Sequence, residues 1–592
     1  MAFPGVWKDW DGKDRPGGFD ALIGNPPWDR MRLEQVEWFA LRRPEIAQAT
    51  RAADRRRMMR ELEEEGDPLA ADFRRAFDRV AAAMRTARGG KQYPLLSGGD
   101  INLYSLFVER ALALVKPEGV IGLLTPSGIA SDRNAARFFR SVATTGRLRV
   151  LYDFENRRTR FDTETQSASP FFPHVHASFK FCAFIAGRSA GETPASCGFF
   201  LQDVSELEDE NRRFALTRTD FLYVNPNTGT APVFLSRHDA DLAMRVYRQT
   251  PVLINRASGE PVTAWPLRYE TRFHMTNDSD RFRGRKQLEE DEGAWPVADN
   301  CFDSPTGAWL PLHEGKTVQA FDHRAASIVV NPHNLRRPAQ PRPATAEQHR
   351  DPAWLPRPQY WVNAAENGLR QRDWQLAFKD VTAPTNIRSM IAAIIPTAAA
   401  GNTLPLLVPE DGWALEAPDA PLDGKPRVSF LLANLNSIMF DYLARQKIHG
   451  QHLNWYIVEQ LPVIAQALAL DTHFGPCTAA EVIQSAVLEL TYTSHDLAPF
   501  ARHVGHINDV GEALPPFPWN PERRQRLMAK LDAVFFHLYG ITDRDDIRHI
   551  YSTFPILERR EQATHGQYLT RNLCLAYLNA LTAGQPDAEP DV

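Results

Sequence analysis

The stretch Phe19-Asp20-Ala21-Leu22-Ile23-Gly24-Asn25-Pro26-Pro27-Trp28 constrains this chain more tightly than any other. Ala21, Leu22 and Ile23 read as a short buried strand, closed by Gly24. Two consecutive prolines then enforce a stiff, extended exit, because each fixes its own φ and restricts the residue before it. Asn25 is thereby placed at the carboxyl end of a strand, where open α/β sheets carry their ligand chemistry.

Asn-Pro-Pro followed by an aromatic residue suits one difficult reaction, methylation of an exocyclic amino group on a base. The lone pair of that amine is delocalised into the ring, so the nitrogen is a poor nucleophile. Two acceptors aimed at its two N–H groups pull it toward tetrahedral geometry and free the lone pair. The Asn25 side-chain oxygen and the Pro26 carbonyl are such a pair, with Pro26 and Pro27 holding the carbonyl still. Trp28 offers a flat face to a base lifted out of its stack. The same residues also suit a plain turn opener beside a core tryptophan.

A chain of 592 residues with 43% apolar content has material for several buried cores. Its formal net charge of -5 means that a nucleic-acid partner must be met by a local positive face. Five scattered cysteines without a CxxC pair argue for a reducing compartment, against a disulfide framework and against a zinc site. The amino-terminal residues lack the apolar core of a signal peptide, and no stretch is long and apolar enough for a membrane span. A cytoplasmic location with no membrane partner is the expectation.

Gln35 to Arg88 reads as helix, with Arg51 to Arg60 preceding acidic Glu61 to Glu65 on a solvated, charge-paired face. Asp100 is positioned to cap a helix from Ile101 to Lys116. Its Leu103, Leu106, Phe107, Ala111 and Leu114 recur on one face. After a turn at Lys116-Pro117-Glu118-Gly119 come a second buried strand at Val120 to Leu124, a helix at Asp132 to Val142, and a third strand at Leu148 to Phe154. A fourth, aromatic-rich strand spans Ser178 to Ala186. Alternation of strands and helices predicts a largely parallel sheet.

Phe19 to Trp28, Asn102-Leu103-Tyr104-Ser105-Leu106-Phe107, Val115-Lys116-Pro117-Glu118-Gly119-Val120, and Phe172-Pro173 ahead of Phe179-Lys180-Phe181 occur in a characteristic order. Together they resemble the gamma-class adenine-N6 DNA methyltransferases, above all the methylase of type IIG restriction-modification enzymes. The resemblance implies a catalytic motif at Asn25, Pro26, Pro27 and Trp28, with Trp28 and Phe172 as the walls of a target-adenine pocket. It implies S-adenosyl-L-methionine as cofactor, with Phe107 packed on its adenine ring and Asn102 and Tyr104 on the cofactor side. Phe107 reads almost equally well as helix core.

One departure from that pattern is as informative as the match. Such enzymes hold the cofactor with a glycine-rich turn after the first sheet strand and an acidic residue after the second. Both belong ahead of the Asn-Pro-Pro strand, where this sequence has eighteen residues. Gly89-Gly90 and Gly98-Gly99 lack the strand-turn-helix context to replace them. The expectation is a split or truncated enzyme whose Phe19 to Gly24 strand has an unpaired edge, an exposed pairing site. Its partner is a missing amino-terminal half carrying the glycine-rich motif.

The fold class expected is α/β: a partial Rossmann-like methyltransferase sheet (residues 1–190), a connector (191–255), a mixed α+β target-recognition domain (256–465), and a helical carboxyl-terminal region (466–592) with a disordered tail after Gly584. The middle region interleaves tryptophans with basic and amide side chains, a combination suited to phosphate positioning and base-edge reading. The type IIG resemblance places target recognition there. Lys316, Arg324, Arg370, Arg372, Lys447 and His449 are the candidate contacts to duplex DNA, although an ordinary surface ion pair remains open for each. The polar run Gln446 to Asn454 reads either as a groove-facing segment or as a satisfied loop. Pro418-Asp419 with Asp423-Gly424-Lys425 is too compressed for a nuclease metal site, so no cleavage activity and no metal are assigned.

The leading function is site-specific adenine-N6 methylation of duplex DNA in a restriction-modification or phage-defence system. A catalytically silent DNA-binding specificity chain is one alternative. Methylation of RNA or of protein glutamine, where Asn-Pro-Pro-aromatic also occurs, is the other.

Overall fold

The computed structural model describes Val6 and residues 17–49, 52–156, 161–162, 167–168, 171–173, 175, 179–191, 193–263, 265–330, 339–366, 373–383, 386–409, 427–448 and 451–592. The chain divides into two compact units, residues 1–241 and 242–592.

In the first unit, Phe19–Gly24 forms β1 as its apolar run predicts, but the strand is not buried: Ala21, Ile23 and Gly24 are exposed because β2 covers one flank only among the described residues. The single helix expected over Gln35 to Arg88 is instead four, Gln35–Ala40, Pro44–Gln48, Ala52–Glu64 and Pro68–Gly89. Pro44 cannot continue a helix, and Gly66 adopts a left-handed φ of 70° just ahead of Pro68. The last of these, α1 (Pro68–Gly89), is capped by Asp67, whose side chain accepts from the Leu69 N–H at 2.8 Å. Trp38, Phe39 and Phe73 form an aromatic cluster among these helices, and Arg57 pairs with Glu61 one turn on.

Next come α2 (Leu103–Leu114), β2 (Val115–Pro126), α3 (Ala136–Ala143), β3 (Leu148–Glu155), β4 (Lys180–Gly187), β5 (Ala195–Leu201) and β6 (Phe214–Leu216). The N-cap of α2 is Asn102, so Asp100 does not cap it. Its buried residues are Tyr104, Ser105, Leu106, Val108, Glu109 and Leu112, which leaves Phe107 on the open side.

The six strands lie in the order β1-β2-β4-β3-β5-β6. β1 pairs with β2 in parallel and β3 with β5 in parallel, whereas β2–β4, β3–β4 and β5–β6 are antiparallel. The sheet is therefore mixed rather than largely parallel. The departure comes from β4, which inserts antiparallel between β2 and β3 with no helix among the described residues of the connection from β3. β5 and β6 carry the sheet into the segment read as a connector. The expected turn at Lys116 to Gly119 is a bulge: Phe19 pairs with Val115 and Ala21 with Val120. A side chain at Gly119 would stand 2.8 Å from the Phe19 carbonyl, so only glycine lets the bulge close against β1.

The second unit contains a four-stranded antiparallel sheet, a five-stranded sheet, short two-stranded ribbons and a set of helices. Trp265, Trp309 and Trp361 are buried and pack its cores. The residues after Gly584 are not a loose tail. Arg523 pairs with Glu589, and the Tyr577 hydroxyl donates to the same carboxylate at 2.9 Å.

Among the described residues β1 has a strand neighbour on one side only, and Ile23 is 88% exposed. Ile121, which pairs with Leu22 across the ladder on β2, is fully buried. Ile23→Thr is expected to change stability by less than about 0.5 kcal/mol, whereas Ile121→Ala costs about 2–5 kcal/mol. Chemical denaturation of the two variants measures the contrast, and equal losses would contradict this edge placement.

Candidate active site

Because β1, β2 and β3 run in one direction, their carboxyl ends share one end of the sheet. β1 delivers Asn25 there, β2 delivers Ser127, and β3 delivers Asp153 and Asn156. Asn25 is exposed, and among the described residues its carboxamide has no hydrogen-bond partner. Pro26 is buried, so the carbonyl beside Asn25 is carried by an immobilised ring. The chain beyond is tied to the start of α2: the Leu103 N–H donates to the Asp29 carbonyl at 2.9 Å and the Met31 N–H to Ile101 at 2.8 Å. This brings Asn102 and Tyr104 beside the Asn25–Arg30 segment, as the Arg30–Asn102 bridge records.

Trp28 is half-buried, and its indole N–H donates to the Leu124 carbonyl at 3.3 Å. Its ring meets Phe172 edge to face, with centroids 5.2 Å apart and planes at 69°, and stacks on Phe181 at 6.2 Å. Trp28 and Phe172 are thus brought together, with Phe154, Phe181 and Leu201 beneath them. In this arrangement they touch, and no parallel slot lies between them.

The loop bearing Phe172 is held by a residue that sequence reasoning missed. Asn156 is fully buried, accepts from the Phe172 N–H at 2.9 Å, and donates to the Phe172 and Val175 carbonyls at 3.0 and 2.9 Å. Its own N–H donates to the Phe179 carbonyl at 3.0 Å. The available signal was a polar residue directly after a buried strand, a position where an amide is retained only if its hydrogen bonds are met.

Asp153 is the second omission. It lies buried on β3 and accepts a hydrogen bond from Ser127. Burial pushes its carboxyl up to about 6, against the pull of Lys180 and of the Ser127 hydroxyl. Burial likewise pushes the Tyr104 phenol up to about 12, so Tyr104 is a neutral, largely enclosed group. Phe107 is 51% exposed. It is therefore not the core residue that its helical spacing equally allowed.

Of the residues suggested for DNA contact that the structure describes, two are turned to the interior. Arg324 has no exposed surface, and its guanidinium donates to the carbonyls of Asp351, Trp354, His349 and Thr493 at 2.8–3.0 Å. Lys447 is buried, donates to the Gln460 carbonyl and lies over the Tyr247 ring at 4.7 Å. Burial holds its ammonium well below the usual lysine range. As folded here, neither reaches a phosphate, because each is spent on the interior. Gln446 and Ile448 are buried as well, so the start of the Gln446 to Asn454 run does not line a groove. Lys316 pairs with Glu314 at 3.0 Å and stays partly accessible. Arg370, Arg372 and His449 lie outside the described residues, as does the Pro418 to Lys425 segment.

The raised Asp153 carboxyl has a definite linkage. The folded state keeps this proton longer than the unfolded chain, so Asp153 lowers stability as pH rises from about 4 to about 6 and holds that cost above it. A two-unit shift corresponds to roughly 3 kcal/mol at most. Asp153→Asn is expected to remove this part of the pH dependence and to raise the melting temperature at pH 7 relative to wild type. Parallel melting curves for wild type and variant between pH 4 and 7 would refute this assignment.

Residues 82–161 match the family described as the Eco57I restriction-modification methylase. Among curated proteins the sequence has no match. Similar solved structures include the type IIL restriction-modification enzyme MmeI in complex with DNA, at 11% identity and a TM-score of 0.34, covering 79% of this chain and 55% of that one. The ATP-dependent type ISP restriction-modification enzyme LlaBIII bound to DNA aligns at 9% identity and a TM-score of 0.32, covering 83% and 30%. The type IIG restriction endonuclease BpuSI aligns at 10% identity and a TM-score of 0.23, covering 78% and 52%. The chain thus spans between 30% and 55% of the length of these three proteins. The stretch with a family match runs through α2, β2, α3 and β3, the elements that frame Asn25.

Proposed function

We propose that the chain is the base-holding and recognition part of a DNA methyltransferase acting on adenine N6, of the type IIG restriction-modification kind. The observation that carries this reading is the exposed, unpartnered Asn25 carboxamide at the carboxyl end of β1, next to a carbonyl on a buried proline. An unpaired amide oxygen and a fixed carbonyl oxygen are what a conjugated amine needs in order to be drawn out of planarity. The restriction-modification methylase match over residues 82–161 supports the same reading.

In this reading Asn25 and Pro26 hold the amine while Trp28 and Phe172 hold the base. Since the two rings touch in this structure, Phe172 must withdraw for the base to enter. That motion swings the loop about its Asn156 attachment, at the end of β3. S-Adenosylmethionine supplies the methyl group in enzymes of this kind. The described residues fit its binding only in part. Phe107 offers an open aromatic face, but no glycine-rich strand-turn-helix accompanies it. The remainder of the cofactor site is assigned to a further segment that adds strands to the outer side of β1, where no described strand pairs. The 88% exposed Ile23 and the one-sided pairing of β1 support that assignment.

Transfer of labelled methyl from S-adenosylmethionine to duplex DNA tests the proposal, with the chain alone and with the polypeptide encoded immediately upstream. Asn25→Ala is expected to lower transfer by about 10²–10³-fold while duplex affinity stays within twofold of wild type. Wild-type rates in that variant would remove Asn25 from the chemistry. Label recovered in RNA or in protein glutamine would change the substrate, and duplex binding without transfer in either format would leave a specificity chain.

A further inference from the structure

The second unit contains a cleft of about 720 Å³ whose lining is unusual for an acidic chain. One wall is an antiparallel ribbon of β7 (Ala326–Val330) and β8 (Ala339–Pro343). The short helix Arg285–Glu290 and the segment around Arg357, which runs beside β7, complete the lining. Although the sequence has 73 carboxylates against 68 lysines and arginines, the described lining holds Arg285, Lys286, Arg342 and Arg357 and no carboxylate.

The four cations differ in how they are compensated. Arg285 pairs with Glu289 at 2.8 Å and Lys286 with Glu290 at 3.7 Å, each one helical turn on. Arg342 and Arg357 are exposed, and among the described residues neither side chain has a hydrogen-bond or ion-pair partner. Arg357 is nevertheless fixed in place by its backbone. Its N–H donates to the Ser327 hydroxyl at 3.0 Å, and its carbonyl accepts from the Ile328 N–H at 2.8 Å. Both arginines are thus attached to the ribbon and both open to an anion.

We infer that this cleft is a duplex-DNA contact surface, with Arg342 and Arg357 as phosphate or guanine contacts. The inference rests on the DNA-methyltransferase reading and gives it a location. Charge complementarity carries it: a cation-lined, carboxylate-free cleft suits a polyanion, and guanidinium forks suit both phosphate and the guanine edge. Gln287, Gln348 and Gln359 line the same space, and amide side chains are the usual partners of adenine. A two-stranded ribbon is also one of the elements that a major groove admits. The exposed Val329 and Val330 at its end place apolar surface where thymine methyl groups would lie.

The test uses the full chain and a fluorescent 30-base-pair duplex, with affinity read by anisotropy across a salt series. The Arg342→Ala, Arg357→Ala double variant is expected to lose about tenfold in affinity at low salt and to flatten the salt slope by about 2. Arg342→Lys with Arg357→Lys should keep most of that slope. A control pair outside the cleft lining, Arg548→Ala with Arg559→Ala, removes the same charge and should leave the slope within experimental error. Melting curves confirm that each variant is folded, as expected for exposed side chains. If wild type binds duplex and the double alanine variant binds equally with the same slope, the cleft assignment falls while the DNA reading stands. If wild type shows no salt-dependent binding to duplex, the DNA reading falls and the cleft assignment goes with it.

Discussion

The geometry of the candidate active site hangs from one short parallel ladder. Ala21 to Gly24 pair with Val120 to Leu123, and no other strand among the described residues holds β1. Four residue pairs fix the direction in which Asn25 leaves the sheet, and the buried Pro26 carries that direction forward. The bulge at Lys116 to Gly119 sets the register of this ladder. Because a one-residue slip would turn every side chain to the other face, Gly119, which alone fits against the Phe19 carbonyl, bears indirectly on the placement of Asn25.

The aromatic half of the site depends on a different kind of force. Trp28, Phe172, Phe181 and Phe154 make edge and stacked contacts, but apolar packing by itself does not choose one loop conformation. Asn156 makes the choice, since three directional bonds to the Phe172 loop satisfy a fully buried amide. A buried Asp153 nearby adds a cost rather than a gain, visible in its raised carboxyl. A buried carboxyl that costs stability at the carboxyl end of a sheet is the pattern expected where binding geometry outranks stability.

Local patterning made β1 and β3 legible, along with α2 to within two residues at either end, whereas it was the family resemblance that set Phe172 beside Trp28. What local pattern cannot carry is strand direction. The aromatic run of β4 reads the same whether it enters the sheet parallel or antiparallel, and only its long-range partners decide. The segment from Gln35 to Arg88 shows the reverse error, because helical periodicity continues across Pro44 and Pro68 while the backbone does not. Arginine is where reading from sequence failed most plainly. Arg324 is consumed by four carbonyls, and Arg388 and Arg445 converge on the fully buried Asp441. Arg342 and Arg357, with nothing in the string to distinguish them, stay in the open. A guanidinium suits an interior carbonyl cage and a phosphate equally well, so its fate is settled by burial rather than by residue type.

An exposed apolar edge has a further consequence for how activity would be controlled, if the proposed second segment pairs with β1. Covering a side chain such as Ile23 contributes about 1.5–3 kcal/mol, and strand pairing on that side would add backbone hydrogen bonds. Pairing on the outer side would hold β1 from both flanks and restrict the exit path of Asn25, so assembly and positioning of the amide would be one event. The binding inferred for the cation-lined cleft would need no such partner, because its arginines are fixed by the ribbon of their own unit. On the proposed reading the two capacities are separable: duplex contact would rest on the second unit alone, whereas methyl transfer would depend on a segment that pairs with β1.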